Sequence, residues 1–334
     1  MGSLSEHAAT NSAPTPNSSS QTLETDILII GAGPAGASLS CFLARYGLKG
    51  ITISSASGTS PEPRAHMTNS AAFECLRDLD LTVYDECVRL GNAGDMIKNY
   101  RWCETMAGEE YARLSSWGAH GARRSDYEMA SPCKYIDVPQ SLLEPVLVKW
   151  STTHGWRVRW DTKLIDFKEE QDSKSDRKIV ARVVDQITGA EHQIRTRFLF
   201  GADGGRSVVA RQLQLPFTSM PGGALACNVL VRADFGHLMP YREGNLHVSP
   251  GLDKDYTFIC FTRMVKPWTE WYAYGDSACV NRLNTNTTPG CSHSYQRGLA
   301  RPYRNIALRN GKMSCQILLA TLVSTSRFST YPTG

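Results

Sequence analysis

Two short runs carry residues able to hold a nucleotide. In "DILIIGAGPAGAS", Gly31, Gly33 and Gly36 form a G-x-G-x-x-G pattern, with Pro34 and Ala35 completing the loop. The first glycine permits a tight turn, the second lets main chain approach a diphosphate, and the third lets a helix sit close to a strand. Free N–H groups at the start of that helix, and its dipole, favour an anion. In "RFLFGADGGRS", an apolar strand ends on Asp203 and is followed by Gly204, Gly205 and Arg206. A carboxylate at the end of such a strand accepts hydrogen bonds from sugar hydroxyls, and a glycine pair admits main chain against a flat or phosphorylated ligand. Asp203 equally suits the N-cap of a helix over "GRSVVARQL", with Arg206 opening it. Both readings stand on these residues alone.

The elements that must position these runs follow from patterning. Ile27 to Ile30 reads as a buried strand, and Ala35, Ala37, Leu39, Phe42 and Leu43 continue at helical spacing. Gly47 offers a left-handed stop before a second strand at Ile51 to Ile53. The end of that strand, where an acid would take ribose hydroxyls, reads Ser54-Ser55-Ala56-Ser57, and Glu62 stands further along. Asp137 is the expected N-cap of a helix with Leu142, Leu143, Val146, Leu147 and Trp150 on one face, closed by Gly155. The runs "WRVRWDTKLIDF", "KIVARVVDQ" and "HQIRTRFLF" predict a meander leading to the strand that delivers Asp203. "GGALACNVLVRADF" and "YTFICFTRMVKPWTEWYAY" read as a further sheet.

At 334 residues and 41% hydrophobic, the chain is long enough to bury a substantial core. Residues 1–24 are rich in Ser, Thr, Asn and Pro, which predicts a disordered arm. No apolar stretch reaches spanning length and no secretory pattern opens the chain, so a cytoplasmic protein without a membrane segment is expected. The ten cysteines are scattered without C-x-x-C or zinc spacing, which predicts reduced packing residues and no metal. From Ser277 to Gly334 there are seven Arg or Lys and no acid. These bases stand singly, without a basic helix face or stacking aromatics, which argues against a nucleic-acid partner.

Taken together, "DILIIGAGPAGASLSCFLARYG", "PRAHMTNSAAFECLRDLDL", "DVPQSLLEPVL" and "FLFGADGGRSVVARQL" resemble the FAD-dependent aromatic hydroxylases, the single-component flavoprotein monooxygenases of the p-hydroxybenzoate and phenol hydroxylase type, and among them a fungal secondary-metabolism branch. The likeness runs over about residues 25–272. It implies an α/β fold in which a Rossmann-like FAD/NAD(P)-binding domain is interleaved with a mainly β substrate domain. The division expected is an arm at 1–24, FAD-binding parts at 25–100 and 131–216, a substrate-domain excursion at 101–130, a substrate sheet at 217–272 and an aberrant basic tail at 273–334.

The resemblance also implies roles. Gly31, Gly33, Pro34, Ala35 and Gly36 would hold the FAD pyrophosphate, Arg64 would contact the cofactor, and Gln140 would reach the ribityl region. Asp203 and Gly204 would serve both FAD and passing NAD(P)H. The chemistry implied is reduction of FAD by NAD(P)H, addition of O2 to give a flavin C4a-hydroperoxide, and OH transfer to a phenolic small molecule, by a chain compatible with a homodimer. Tyr256, Arg263 and His247 lie in the expected substrate sheet, and nothing in their spacing selects a catalytic base.

The family's third signature, a Gly-Asp before a His- and Pro-rich loop, has a counterpart only in Gly275-Asp276, which stand close after Asp203 and lack the His and paired Pro. A shifted reading frame or retained intron after about residue 273 is therefore expected, giving a truncated chain. The alternatives to a hydroxylase are a non-catalytic FAD-domain fragment and another flavoenzyme, a reductase or halogenase, on the same scaffold.

Overall fold

The computed structural model describes residues 22–116, 120–170, 175–216, 225–239, 243–252, 257–276, 304–307 and 314–324. Ile27–Ile30 (β2) is buried at every position, as a strand covered on both faces must be. It lies in a parallel sheet ordered β12-β2-β3-β8, with β3 at Gly50–Ile53, β8 at Arg157–Arg159 and β12 at Phe198–Gly201. Side-chain alternation decides what covers each face. Ile27 and Ile29 pack against α1 (Pro34–Arg45), α2 (Ser70–Leu79), α3 (Leu81–Leu90) and α5 (Gln140–Thr153) through Cys41, Phe73, Leu79, Val83 and Leu147. Leu28 and Ile30 point the other way, onto Leu164, Val183 and Ile194 of a second sheet.

That second sheet is ordered β1-β11-β10-β9, with β1 at Thr22–Glu24, β9 at Thr162–Glu169, β10 at Ile179–Asp185 and β11 at Glu191–Thr196. Strands β9 to β11 form an antiparallel meander, and β1 runs parallel to β11. The expected disordered arm over 1–24 is corrected here at its end. Thr22, Leu23 and Glu24 pair with Gln193, Ile194 and Arg195, and Leu23 packs on the shared core. Main-chain pairing holds three residues whose composition shows no strand signal, while residues 1–21 lie outside the described residues. The run "WRVRWDTKLIDF" is not one strand either, because Asp161 at φ 50° breaks it. Its first half joins the parallel sheet and its second half the meander.

Among the described residues a third sheet is ordered β17-β18-β13-β16-β15-β14-β5-β6. Its strands are β5 (Asn99–Cys103), β6 (Glu110–Ser115), β13 (Leu225–Arg232), β14 (Asn245–Leu252), β15 (Thr257–Lys266), β16 (Glu270–Asp276), β17 (Arg304–Ala307) and β18 (Ser314–Ser324). Only β5 and β14 pair in parallel; the other neighbours are antiparallel. One face is closed by Met239, Met264 and Trp271, whose indole N–H donates to the Ala233 carbonyl at 3.1 Å. The sheet does not stop at 272 as the patterning suggests: β16 continues to Asp276, with Gly275 opposite Cys227. Beyond it, Ser314–Ser324 pairs with β13 inside the stretch expected to be aberrant. Helices α4 (Arg124–Ala130) and α6 (Val208–Gln212), a short ladder of β4 (Met67–Thr68) with β7 (Ile136–Asp137) and four short 3₁₀ turns complete the described elements.

Cys41, Cys87, Cys103 and Cys133 are buried and unbridged. Burial pushes the Cys41 and Cys87 thiols up to about 12, so both remain neutral packing groups.

Candidate functional site

After β2 the chain turns at Gly31, whose φ of +106° suits glycine and whose N–H donates to the Ile53 carbonyl at 2.8 Å. A side chain there would also collide with the Ala202 carbonyl and crowd Asp203 Cα, so the end of β12 presses directly on this turn. Gly36 is equally confined: a Cβ would overlap the Gly31 carbonyl and meet Ala202 Cβ at 3.3 Å. Gly33 stands apart. It caps α1, and the only described atom within 4 Å of a Cβ built on it is Glu144 Oε1 at 3.9 Å. No side chain caps α1, and its first turn carries no acid. Pro34 at the first helical position has no N–H to satisfy, and the first-turn amides after it have no intrahelical acceptor. This is an anion-binding end left free.

Asp203 and Gly204 follow β12, which pairs in parallel with β2 from Phe198–Ile27 to Gly201–Ile30. Two adjacent parallel strands therefore deliver both glycine-bearing turns to one sheet end, where α/β folds hold ligands. The Asp203 carboxylate is engaged within the protein: Oδ1 accepts from Ser207 Oγ at 2.5 Å and Oδ2 from Val208 N at 2.6 Å. Of the two roles open to it, the structure displays the helix-anchoring one. Gly204, at φ +73° with nothing within 4 Å of a Cβ built on it, leaves its main chain open. Arg206 does not open the helix; it closes a 3₁₀ turn at Gly204–Arg206, is exposed, and α6 begins at Val208 with Ser207 accepting from Ala210 N.

Arg64 and Gln140 meet through main chain, the Gln140 N–H donating to the Arg64 carbonyl at 2.9 Å. The Arg64 side chain is paired with Glu62 at 2.5 Å and is 46% exposed. Asp137 is not the cap of α5. The helix begins at Gln140 behind Pro139, and Asp137 sits in β7, where its buried carboxylate takes Arg263 Nη2 at 2.5 Å. An Asp shortly before an apolar helix satisfies the capping pattern, yet a cation from the third sheet claims it. Sequence reasoning also missed Glu144. It is 2% exposed, and it accepts from Gln140 Nε2 at 2.5 Å and Ser60 N at 2.6 Å. The available signal is an acid four residues after Gln140 on the apolar stretch "SLLEPVL".

Asp137 and Arg263 join the α/β unit to the third sheet. His66, also buried, places Nδ1 3.3 Å from Asp137 Oδ1 without the alignment a hydrogen bond requires. Burial holds its imidazole below the usual histidine range, with Asp137 pulling the other way, so the ring is neutral near neutrality. The Tyr272 ring lies 5.5 Å from it. Register puts Tyr100, Leu246, Arg263 and Tyr272 opposite one another on one face of the sheet. Phe261 and Tyr274 share that face and stack at 4.7 Å. Burial raises the Tyr100 and Tyr274 hydroxyls and Arg263 lowers them, which keeps both phenols protonated near neutrality. Of the sheet candidates, Arg263 lies on this aromatic face. His247 lies on the opposite one beside Arg101, fully buried, and Tyr256 is outside the described residues.

A glycine-turned βαβ crossover with a free helix end, met by a second strand terminus, defines a nucleotide-binding α/β protein. Residues 24–288 match the FAD binding domain family, and the chain belongs to it. It is 38% identical over 254 residues to a 2,4-dichlorophenol 6-monooxygenase of Cupriavidus pinatubonensis, covering 75% of this chain and 41% of that one. It is 37% identical over 260 residues to a phenol 2-monooxygenase of a Pseudomonas species, covering 77% and 40%. The chain thus spans about two fifths of the length of these relatives. In fold it is similar to the flavin-dependent monooxygenase PieE, solved with FAD and substrate, at TM-score 0.72 and 24% identity over 93% of this chain and 52% of that one. An aklavinone-11 hydroxylase, solved with FAD and aklavinone, matches at TM-score 0.66 and 21% identity over 93% and 56%. Of the three glycines only Gly33 has open space where a Cβ would stand, which leaves room for an anionic group such as a diphosphate at the uncapped start of α1. Among the described residues no His, Cys, Asp and Glu group stands ready for a metal ion, and no helix is long and apolar enough to cross a membrane.

Proposed function

We propose that this chain holds FAD and serves an NAD(P)H- and O2-dependent hydroxylation of a phenolic small molecule in the cytoplasm. The observation that carries the proposal is the uncapped start of α1 at Gly33, set against the turn after β12. Gly31, Gly33, Pro34, Ala35 and Gly36 would embrace the diphosphate; Arg64 and Gln140 would lie along the cofactor, and Asp203 and Gly204 at its far side. When bound and reduced, FAD supplies the oxygen-activating chemistry. The aromatic face of Tyr100, Phe261 and Tyr274 offers a flat, half-buried wall for a phenolic ring, with the polar group of Arg263, Asp137 and His66 at one end. Relatives that are phenol and dichlorophenol monooxygenases support this substrate class.

Titrating the purified chain with FAD tests the reading. Retained yellow colour at about 450 nm and binding heat are expected, and colourless protein with no heat overturns it. NADPH consumption that rises with a phenol, with hydroxylated product, is expected of the hydroxylase. Flavin binding without that product would confine the function to holding the cofactor.

A further inference from the structure

Glu144 is a buried carboxylate standing where an anionic ligand is to arrive. Its Oε1 lies 3.9 Å from the Cβ position of Gly33, and it is 2% exposed. Burying a charge is costly unless it is paired or fully hydrogen-bonded, and among the described residues no Lys or Arg pairs with it; its partners are the Gln140 amide and the Ser60 N–H. Both Glu144 oxygens act as acceptors, Oε1 from the Gln140 NH2 group and Oε2 from the Ser60 N–H, so the Gln140 amide is turned with its nitrogen toward Glu144. That orientation spends one Nε2–H on Glu144 and leaves Oε1 as the amide's acceptor for a ligand, beside the second Nε2–H. An acceptor greets a hydroxyl and rejects a phosphate oxygen.

On the FAD reading, we infer that Glu144 is a positioning residue that fixes Gln140 as an acceptor for a polyol hydroxyl of the cofactor. Ser60 ties the connection after β3 to the same carboxylate.

The polarity can be read from Gln140→Lys, which still donates to Glu144 but offers no acceptor. If Gln140 accepts from a hydroxyl, this variant binds FAD about tenfold more weakly, as Gln140→Ala does. If Gln140 instead donates to phosphate, the lysine binds FAD as well or better, which overturns the inference. Glu144→Gln removes the fixed orientation, so it should also weaken FAD about tenfold, and combining it with Gln140→Ala should add no further loss. Additive losses, or wild-type affinity in Glu144→Gln, overturn it as well. Flavin fluorescence gives the affinities, and melting of the flavin-free proteins separates positioning from folding: the Gln140 variants should melt as wild type. Wild-type chain that takes up no FAD would sink the underlying reading; normal wild-type uptake with an unweakened Gln140→Lys would sink this inference alone.

Discussion

Gly33 and Gly36 lie three residues apart and meet opposite surroundings. Gly36 has no room for a methyl group, because its Cβ direction is occupied by the Gly31 carbonyl. Gly36→Ala must push α1 off the β2 turn and should lower stability by about 2–4 kcal/mol, measured by urea denaturation of the flavin-free chain. Gly33→Ala meets only open space and Glu144 Oε1 at 3.9 Å. It should leave denaturation nearly unchanged while weakening FAD, because on the proposed function the methyl would stand where the diphosphate approaches. Equal effects of the two substitutions would contradict this division of labour. The glycines were legible in the sequence by their spacing: Gly31 answers a positive φ and Gly36 a close main-chain approach, while Gly33 meets no such demand within the protein. Glu144 was hidden, since an acid within an apolar helix face announces burial only when its donors are known, and these come from α5 itself and from residue 60. Asp203 was ambiguous for a related reason: a carboxylate suited to a sugar is equally suited to the amides of α6.

At the scale of elements, the ladder of β4 with β7 is the junction on which the site depends. It carries His66 and Asp137 to the third sheet, and Arg64 and Gln140 flank it. Arg263→Met strands the Asp137 carboxylate, 2% exposed, without its cation. Breaking such a buried pair should cost about 3–5 kcal/mol, whereas Asp137→Leu combined with Arg263→Met should recover much of that loss. Denaturant melts of the three variants form the double-mutant cycle, and a double variant no more stable than Arg263→Met would refute it. The βαβ crossover and the meander were readable from periodicity. The ladder was not, since β4 and β7 are two residues each and owe their form to each other. The end of β16 was misplaced because its last residues, Gly275 and Asp276, carry no strand signal and are held by pairing with β13 and β15.

At the scale of the molecule, two histidines among the described residues are buried and remain neutral. His247, fully buried and beside Arg101, has its pKa pushed down to about 4 by burial and by that guanidinium. His66 shifts in the same direction for want of water. An unfolded chain protonates both rings near ~6.5. As pH falls below that value the unfolded state takes up protons that the folded state refuses, so stability declines until the folded pKa is passed. His247 alone should account for about 2–3 kcal/mol of this decline. His247→Gln keeps an acceptor for Arg101 but does not titrate, so its stability should fall less than that of wild type between about pH 7 and about pH 4. Parallel declines in urea melts would count against the assignment.

The pairing of Thr22–Glu24 with β11 has a practical corollary. Thr25 and Asp26 connect this short strand straight into β2, with the Thr25 N–H on the Arg195 carbonyl and the Phe198 N–H on the Asp26 carbonyl. Shortened versions of the protein that start at Asp26 would bare a row of unmet amides and carbonyls along Gln193 to Arg195, an invitation to self-association. Light scattering should show such versions gathering into larger species, whereas those starting before Thr22 should stay dispersed.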